Sequence, residues 1–174
     1  MELLCENLVL RSITSEDTDL ILKWRNNENV KKYFIDQREL RKEDHMRWLK
    51  TKAETGSVVQ FIITQKENGR AVGTVFLKDI DYQNRKAEYG VFLGEEDFIG
   101  KGIGTAVAGR MISYAFQELK LHKVYLRVFE DNLRAVACYE KAGFQKEALL
   151  KDDVLIHNEF RNIIIMGILN TECL

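Results

Sequence analysis

Proline is absent from all 174 residues, where ordinary usage of about 5% would place several. No proline-rich linker therefore divides the chain, and neither an internal repeat nor a low-complexity segment interrupts it. Cysteine is scarce. Cys5, Cys138 and Cys173 are odd in number, with no short pairing and no ligand-like spacing, which argues against a disulfide framework or a metal site and fits a reducing compartment. Long apolar runs are missing too: residues 163–166 are far too few to span a bilayer. The first residues, MELLCENLVLR, lack the layout of a signal peptide. A cytoplasmic protein with no membrane role is expected. Charge of one sign is also lacking. With 26 Lys and Arg against 27 Asp and Glu, the formal net charge is -1, and the basic residues are interleaved with acids, so nothing favours nucleic acid as a partner.

What is present suffices for one substantial core: 45% of residues are hydrophobic and 30% charged, and a chain of this length is expected to form a single domain, residues 1–174. Residues 8–13 (LVLRSI) alternate as a strand, and Thr14 with Asp17 forms a capping-box pattern that starts a helix. Leu20, Ile21 and Trp24 lie at helical spacing, and the asparagines of WRNNENV end the helix. His45, Met46, Trp48 and Leu49 predict a second helix from Lys42 to near Ala53, closed by Gly56. Strands are predicted at 58–65, 72–80 and 86–93. A glycine loop follows, then a helix with Val107, Met111, Ile112, Ala115, Phe116 and Leu119 along one stripe. Residues 123–129 read as a strand, Asn132 as the N-cap of a helix over 133–142, and Gly143 as its left-handed cap. Residues 154–156 and 162–169 read as a last hairpin. The order is strand, two helices, three strands, helix, strand, helix, two strands, which is a mixed α/β sheet rather than a repeating βαβ array.

The loop FIGKGIGTAVAGRMI, residues 98–112, carries the chemistry. Gly100, Gly102 and Gly104 give G-x-G-x-G followed by Thr105, which fails the dinucleotide fingerprint, and Lys101 is followed by Gly102, which fails the P-loop pattern. What such loops share is still present: glycines that let backbone approach a phosphate, inward N–H groups, and a helix N-terminus that favours negative charge. A pyrophosphate fits. An ordinary tight strand-to-helix turn would carry glycines as well.

The loop, together with AEYGVFL before it and VFEDNLRAVACYEKAGF after it, resembles the GNAT family of N-acetyltransferases. Residues 99–104 (IGKGIG) match the family's Q/R-x-x-G-x-G/A loop except at the first position, where Ile99 replaces the usual Gln or Arg. The resemblance implies the family's fold: an α/β (α+β) architecture with a mostly antiparallel sheet of about seven strands and about four helices. It implies acetyl-CoA as co-substrate, with no metal. The amides of Gly100, Lys101, Gly102, Ile103, Gly104 and Thr105 would hold the pyrophosphate, Val91, Phe92 and Leu93 would run beside the pantetheine and supply an oxyanion donor, and Asn132 would contact the coenzyme. Tyr139, in YEKAGF, would give a proton to the departing sulfur.

Acetyl transfer to an amine also needs the amine neutral, and a lysine-like amine with a pKa near 10.4 is mostly protonated at neutral pH. Glu88, in AEYG, is the candidate base, acting through water; a solvent-facing strand carboxylate is the plain alternative. By resemblance the early helices wall the acceptor cleft, so Trp24, Arg25, Asn26, His45 and Trp48 are candidate substrate contacts. Tryptophans at this spacing are also ordinary core residues. WRN, then H-x-x-W-L, then the YEKAGF stretch resemble acetyltransferases of nucleotide-linked 4-amino sugars, as in the pseudaminic-acid pathway. The same stretches also resemble the branch acting on N-terminal amines of ribosomal proteins, and polyamine acetyltransferases form a third branch. The partner expected is a small-molecule amine, with a nucleotide-linked amino sugar preferred and a homodimer left open. The alternative of another class is a coenzyme A-binding module without catalysis.

Overall fold

The computed structural model describes residues 1–171; Cys173 lies outside the described residues. The sheet has eight strands in the order β1-β2-β3-β4-β5-β6-β8-β7: β1 (Glu2–Cys5), β2 (Leu8–Ser12), β3 (Val59–Gln65), β4 (Ala71–Asp81), β5 (Lys86–Leu93), β6 (Lys123–Phe129), β7 (Gln145–Ile156) and β8 (Glu159–Leu169). Five α-helices are interspersed: α1 (Thr18–Arg25), α2 (Glu28–Lys31), α3 (Lys42–Trp48), α4 (Ile103–Gln117) and α5 (Leu133–Lys141). β5 and β6 are parallel, while β1–β2, β2–β3, β3–β4, β6–β8 and β7–β8 are antiparallel. This is the expected mixed α/β fold with one strand more than expected, because Glu2–Cys5 pairs with β2. None of the described helices is long and apolar enough to cross a membrane.

Two compact units can be described, one from Met1–Asp79 with Gly90–Ile103, the other from Ile80–Tyr89 with the chain from Gly104 onward. In the first, β3 reads as a continuous apolar run because both of its faces are covered: Phe61, Ile62 and Ile63 are fully buried, as are Leu10 of β2 and Val72, Val75 and Leu77 of β4. Helix α1 lays Ile21 and Trp24 against Ile62, and each such side chain contributes roughly 1.5–3 kcal/mol by leaving water. The helix predicted to reach Ala53 does so by changing gauge: α3 ends at Trp48 and a π-helical turn, Leu49–Ala53, continues it. The amide of Glu54 then reaches back to Leu49 O at 3.0 Å. Gly56, at φ +74, stops the chain where a left-handed residue was expected.

In the second unit, β6 alternates with Val124, Leu126 and Val128 buried and Arg127 exposed. It pairs with β8 from Lys123↔Leu169 to Phe129↔Ile163. Helix α4 buries Val107, Met111, Ile112 and Ala115, but ends at Gln117, so Leu119 falls beyond the helix expected to hold it. β7 is far longer than the predicted 154–156 because most of it is solvent-exposed and carries no inward stripe to read.

The entry into α1 is fixed by one carboxylate. Asp17 accepts from the Thr14 amide at 2.9 Å, as the capping box requires, and from Arg11 Nη1 at 2.9 Å and Nη2 at 2.5 Å. Burial pushes this carboxyl up, but the bonds from Arg11 and Thr14 outweigh burial and hold it below the ordinary range. A folded pKa below the unfolded value means the stabilisation is present above about pH 4 and is lost as pH falls through the folded value. Asp17→Asn should cost about 1–3 kcal/mol at pH 7 and progressively less as pH falls below about 4. Melting temperatures across that range check this; a gap that stayed constant would refute it.

Candidate active site

Between β5 and α4 the chain makes a 3-10 turn, Glu96–Phe98, passes through Ile99, and reaches Gly100 at φ +82 and Gly102 at φ +80. Both values lie in the left-handed region that side chains disfavour, so these glycines permit the reversal that ends in α4. The first four amides of α4, from Ile103, Gly104, Thr105 and Ala106, have no carbonyl within their own helix to bond. They converge at the positive end of a 15-residue helix. Free amides, a backbone uncovered by side chains at two glycines, and a helix N-terminus are the donor set a pyrophosphate needs. Lys101 Nζ stands 5.0 Å from the Phe98 ring centroid. On the second half of β5, Val91, Phe92 and Leu93 are half-buried. The Phe92 ring meets Trp24 edge-on at 6.4 Å and Phe34 at 5.1 Å, which leaves main-chain groups as what this stretch can offer a ligand.

In the second unit the start of α4 is seated on α5. A Cβ on Gly104 would stand 2.9 Å from Cys138 Sγ, closer than real Cβ atoms come, and Thr105 Oγ1 lies 3.4 Å from the same sulfur. Tyr139, the next residue on α5, is half-buried among rings, with Tyr89 at 6.1 Å and Phe144 at 6.0 Å, both edge-on. Burial, and secondarily Cys138, push its phenol well above the ordinary value, so it keeps its proton at neutral pH. Such a group can donate a proton and is unsuited to accepting one. Asn132 caps α5, its Oδ1 accepting from the Ala135 amide at 3.3 Å, as its place before the helix predicted. Glu88 is not a solvent-facing carboxylate: it is buried and takes a 3.4 Å contact from Arg127 Nε. It is also the last β5 residue in the ladder to β6, which spans only Lys86↔Lys123 to Glu88↔Tyr125 although β6 runs on to Phe129.

The five residues expected at the acceptor wall separate into different roles. Trp24 is 1% exposed and gives its Nε1 hydrogen to Glu95 at 2.9 Å; it belongs to the core and offers a ligand no ring face. Asn26 is likewise committed, donating to Leu40 O at 2.9 Å and accepting from Leu40 N at 2.8 Å, so its amide closes a loop instead of meeting substrate. His45, expected to be reachable, is buried. Its Nδ1 pairs with Thr18 Oγ1 at 3.1 Å, its ring stacks on the half-buried Trp48 at 5.8 Å, and burial holds its pKa down despite Asp17. Arg25 is the exception. Its guanidinium lies 3.7 Å over the Phe34 ring and its Nη2 reaches Asp36 O only at 3.5 Å. Its Nη1 is buried with no hydrogen-bond partner among the described residues.

Sequence reasoning missed three groups here. Phe34 sits outside any periodic segment, so nothing marked it as the base under Arg25. Arg127 is one of many basic residues, and only the Glu88↔Tyr125 register brings it beside the carboxylate. Glu95 lies in an acidic run, EED, that reads as solvated surface but receives the indole.

Comparison with known proteins identifies the family. The profile of the family described as acetyltransferase (GNAT) domain matches residues 7–145. A spermidine N(1)-acetyltransferase of Vibrio cholerae is 29% identical over 167 residues, 96% of this chain and 95% of that protein. The acetyltransferase PseH of Campylobacter jejuni is 28% identical over 132 residues, 76% of this chain and 79% of that protein. Among solved structures, the spermidine N-acetyltransferase of Vibrio cholerae in complex with CoA and spermine superposes with a TM-score of 0.89 at 26% identity, covering 96% of this chain and 98% of that one.

The cap at Asn132 makes a direct prediction. Asn132→Ala should lower stability by about 1 kcal/mol, whereas Asn132→Asp should keep most of it. Thermal unfolding of the two variants checks this, and equal losses would remove the cap from the account.

Proposed function

The chain belongs to the GNAT family of acetyltransferases, and from that premise we propose that it acetylates the 4-amino group of a nucleotide-linked amino sugar, residues 1–174 working as one acetyltransferase domain. It is an acetyl-CoA-dependent N-acetyltransferase; the acceptor is the new part of this reading. Acetyl-CoA, when bound, supplies an acetyl group as a thioester, whose thiol, with a pKa of about 8.5, is a tolerable leaving group.

The chain's own residues then divide the work. The amides of Gly100, Lys101, Gly102, Ile103, Gly104 and Thr105 grip the pyrophosphate, and Asn132 adds a side-chain contact. Main-chain groups of Val91, Phe92 and Leu93 align the pantetheine, and one of their N–H groups meets the developing oxyanion, a donor fixed before the charge appears. Tyr139 delivers the proton to the sulfur. Glu88, through water, draws the proton from the attacking amine.

Arg25 carries the choice of acceptor. A buried guanidinium nitrogen without a partner costs about 1–3 kcal/mol, a cost that a phosphate or carbonyl oxygen of a nucleotide would offset, and Phe34 fixes the plane of the fork. Trp48 adds a half-buried aromatic surface on α3. A polyamine would bring further positive charge to that cation and gain nothing from it. A second reading, spermidine or a related polyamine, is supported by the spermidine acetyltransferases, whose similarity runs over nearly the whole chain. Resemblance to the ribosomal-protein branch keeps an N-terminal amine as a third.

A panel of UDP-linked 4-amino sugars, polyamines and a ribosomal peptide, read by release of free thiol, separates these. The sugar should be turned over fastest, and Arg25→Met should raise its KM about tenfold or more while leaving that of acetyl-CoA alone. Faster turnover of spermidine, or improvement of it by Arg25→Met, would overturn the preference. Tyr139→Phe should lower turnover by about 10²-fold with coenzyme binding little changed, and unaltered turnover would remove Tyr139 as the acid. Glu88→Gln should lower kcat by about 10²-fold with coenzyme binding little changed; unaltered turnover would exclude Glu88 as the base.

A further inference from the structure

The segment Gly94 to Phe98, GEEDF, reads as a charged surface turn, yet every carboxylate in it is tied down. Glu95 Oε1 accepts from Trp24 Nε1 at 2.9 Å and Lys23 Nζ at 3.3 Å, and its Oε2 accepts from Arg70 Nη2 at 3.1 Å. Glu96 accepts from Asn29 Nδ2 at 2.6 Å. Asp97 takes both arms of the Arg70 fork, at 3.0 and 3.2 Å. Helices α1 and α2 and Arg70, the residue before β4, therefore all hold one short turn. The turn is itself stiff: Phe98 N bonds to Glu95 O at 3.2 Å, Ile99 N to Glu96 O at 3.1 Å, and Gly94 N to Val72 O at 2.9 Å. Phe98 is buried at its end, with Arg70 Cζ and Lys101 Nζ each 5.0 Å from its ring centroid.

The loop that follows has no comparable packing. A Cβ at Gly100 or Gly102 would meet nothing within 4 Å, so the placement of those residues is inherited from the ends of the loop. One end is the start of α4 on Cys138. The other is the turn buckled at Glu95, whose side chain is only 19% exposed.

We propose that Glu95 is a positioning residue for the glycine loop, and that through its bond to the Trp24 indole helix α1 on the acceptor side sets the grip on coenzyme. This rests on reading residues 100–105 as the coenzyme loop. Trp24 is then a mechanical link between two ligands that it touches at neither end, and loss of its bond to Glu95 is felt as a change in coenzyme affinity.

Calorimetry with CoA on four full-length proteins tests it: wild type, Glu95→Gln, Trp24→Phe, and Ile63→Val, a core trim in β3 that lowers stability without touching the buckle. Glu95→Gln should weaken CoA binding about tenfold and Trp24→Phe about threefold, through KM for acetyl-CoA more than through kcat, while Ile63→Val stays within about twofold. Amide hydrogen exchange at residues 100–102 should quicken in the first two variants even where the melting temperature is kept. CoA affinity within twofold of wild type in both Glu95→Gln and Trp24→Phe would overturn the positioning role. Absence of heat from wild-type protein would instead remove the coenzyme loop itself, and the proposal with it.

Discussion

A backbone amide has no rotamer. Its hydrogen is aimed by the dihedrals of the chain alone, and a ligand held by amides can be held only as firmly as those dihedrals are. In this protein the amides at issue lie on a loop whose two left-handed glycines have open space around them. The consequence runs outward: the loop needs rigid ends, so α4 must be pinned at its first turn and the chain before Gly100 must be pinned as well. Close approach of Gly104 to Cys138 does the first, and the carboxylate of Glu95 does the second. Much of the polar structure in the first unit supports a stretch whose two left-handed glycines have no neighbours of their own to fix them.

The second unit follows a different logic, one of a single side chain kept in one protonation state. Tyr139 is enclosed by Tyr89 and Phe144, and the low polarity of that setting favours the neutral phenol. The helix bearing it is anchored at its start by Asn132 and is followed, past Lys141 and Ala142, by Gly143 at φ +99. The turn before Asn132 is in turn held by β8, where Arg161 Nη2 donates to both carboxylate oxygens of Asp131 and the guanidinium lies over the Phe129 ring at 3.9 Å. Asn162 reaches Glu130 at 2.8 Å. The phenol is thus set in place by bonds that begin several residues away from it.

Most of this architecture was legible because its signals are local. The capping box at Thr14, the N-cap at Asn132 and the glycines at 56 and 143 are each decided within a few residues, and the structure places all of them as read. What was not legible depends on distance. β1 is only four residues long, and becomes a strand because β2 offers an edge. β7 is exposed along most of its length, so no alternation of burial was written into it. Trp24 and Asn26 stand in WRN with the look of ligand contacts, but one is claimed by Glu95, 71 residues on, and the other by Leu40. His45 stood among the candidate substrate contacts, whereas Thr18 and Trp48 pack against it and it is buried. Periodicity reports which side of an element is buried; it cannot report which distant group claims a particular polar atom.

The clamp between Asn26 and Leu40 has a consequence for how such proteins diversify. With both amide positions of one asparagine engaged on one backbone residue, the chain from 27 to 39 leaves and returns at fixed posts, and the entropy of closing that span changes only slowly with its length. Changes of length at residues 35–39 are therefore the ones the span absorbs most readily, whereas Asn29 on Glu96, the buried Val30 and Phe34 against Phe92 tie its first half to the rest of the molecule. It is a span between two fasteners, whose length can change most cheaply beyond Phe34.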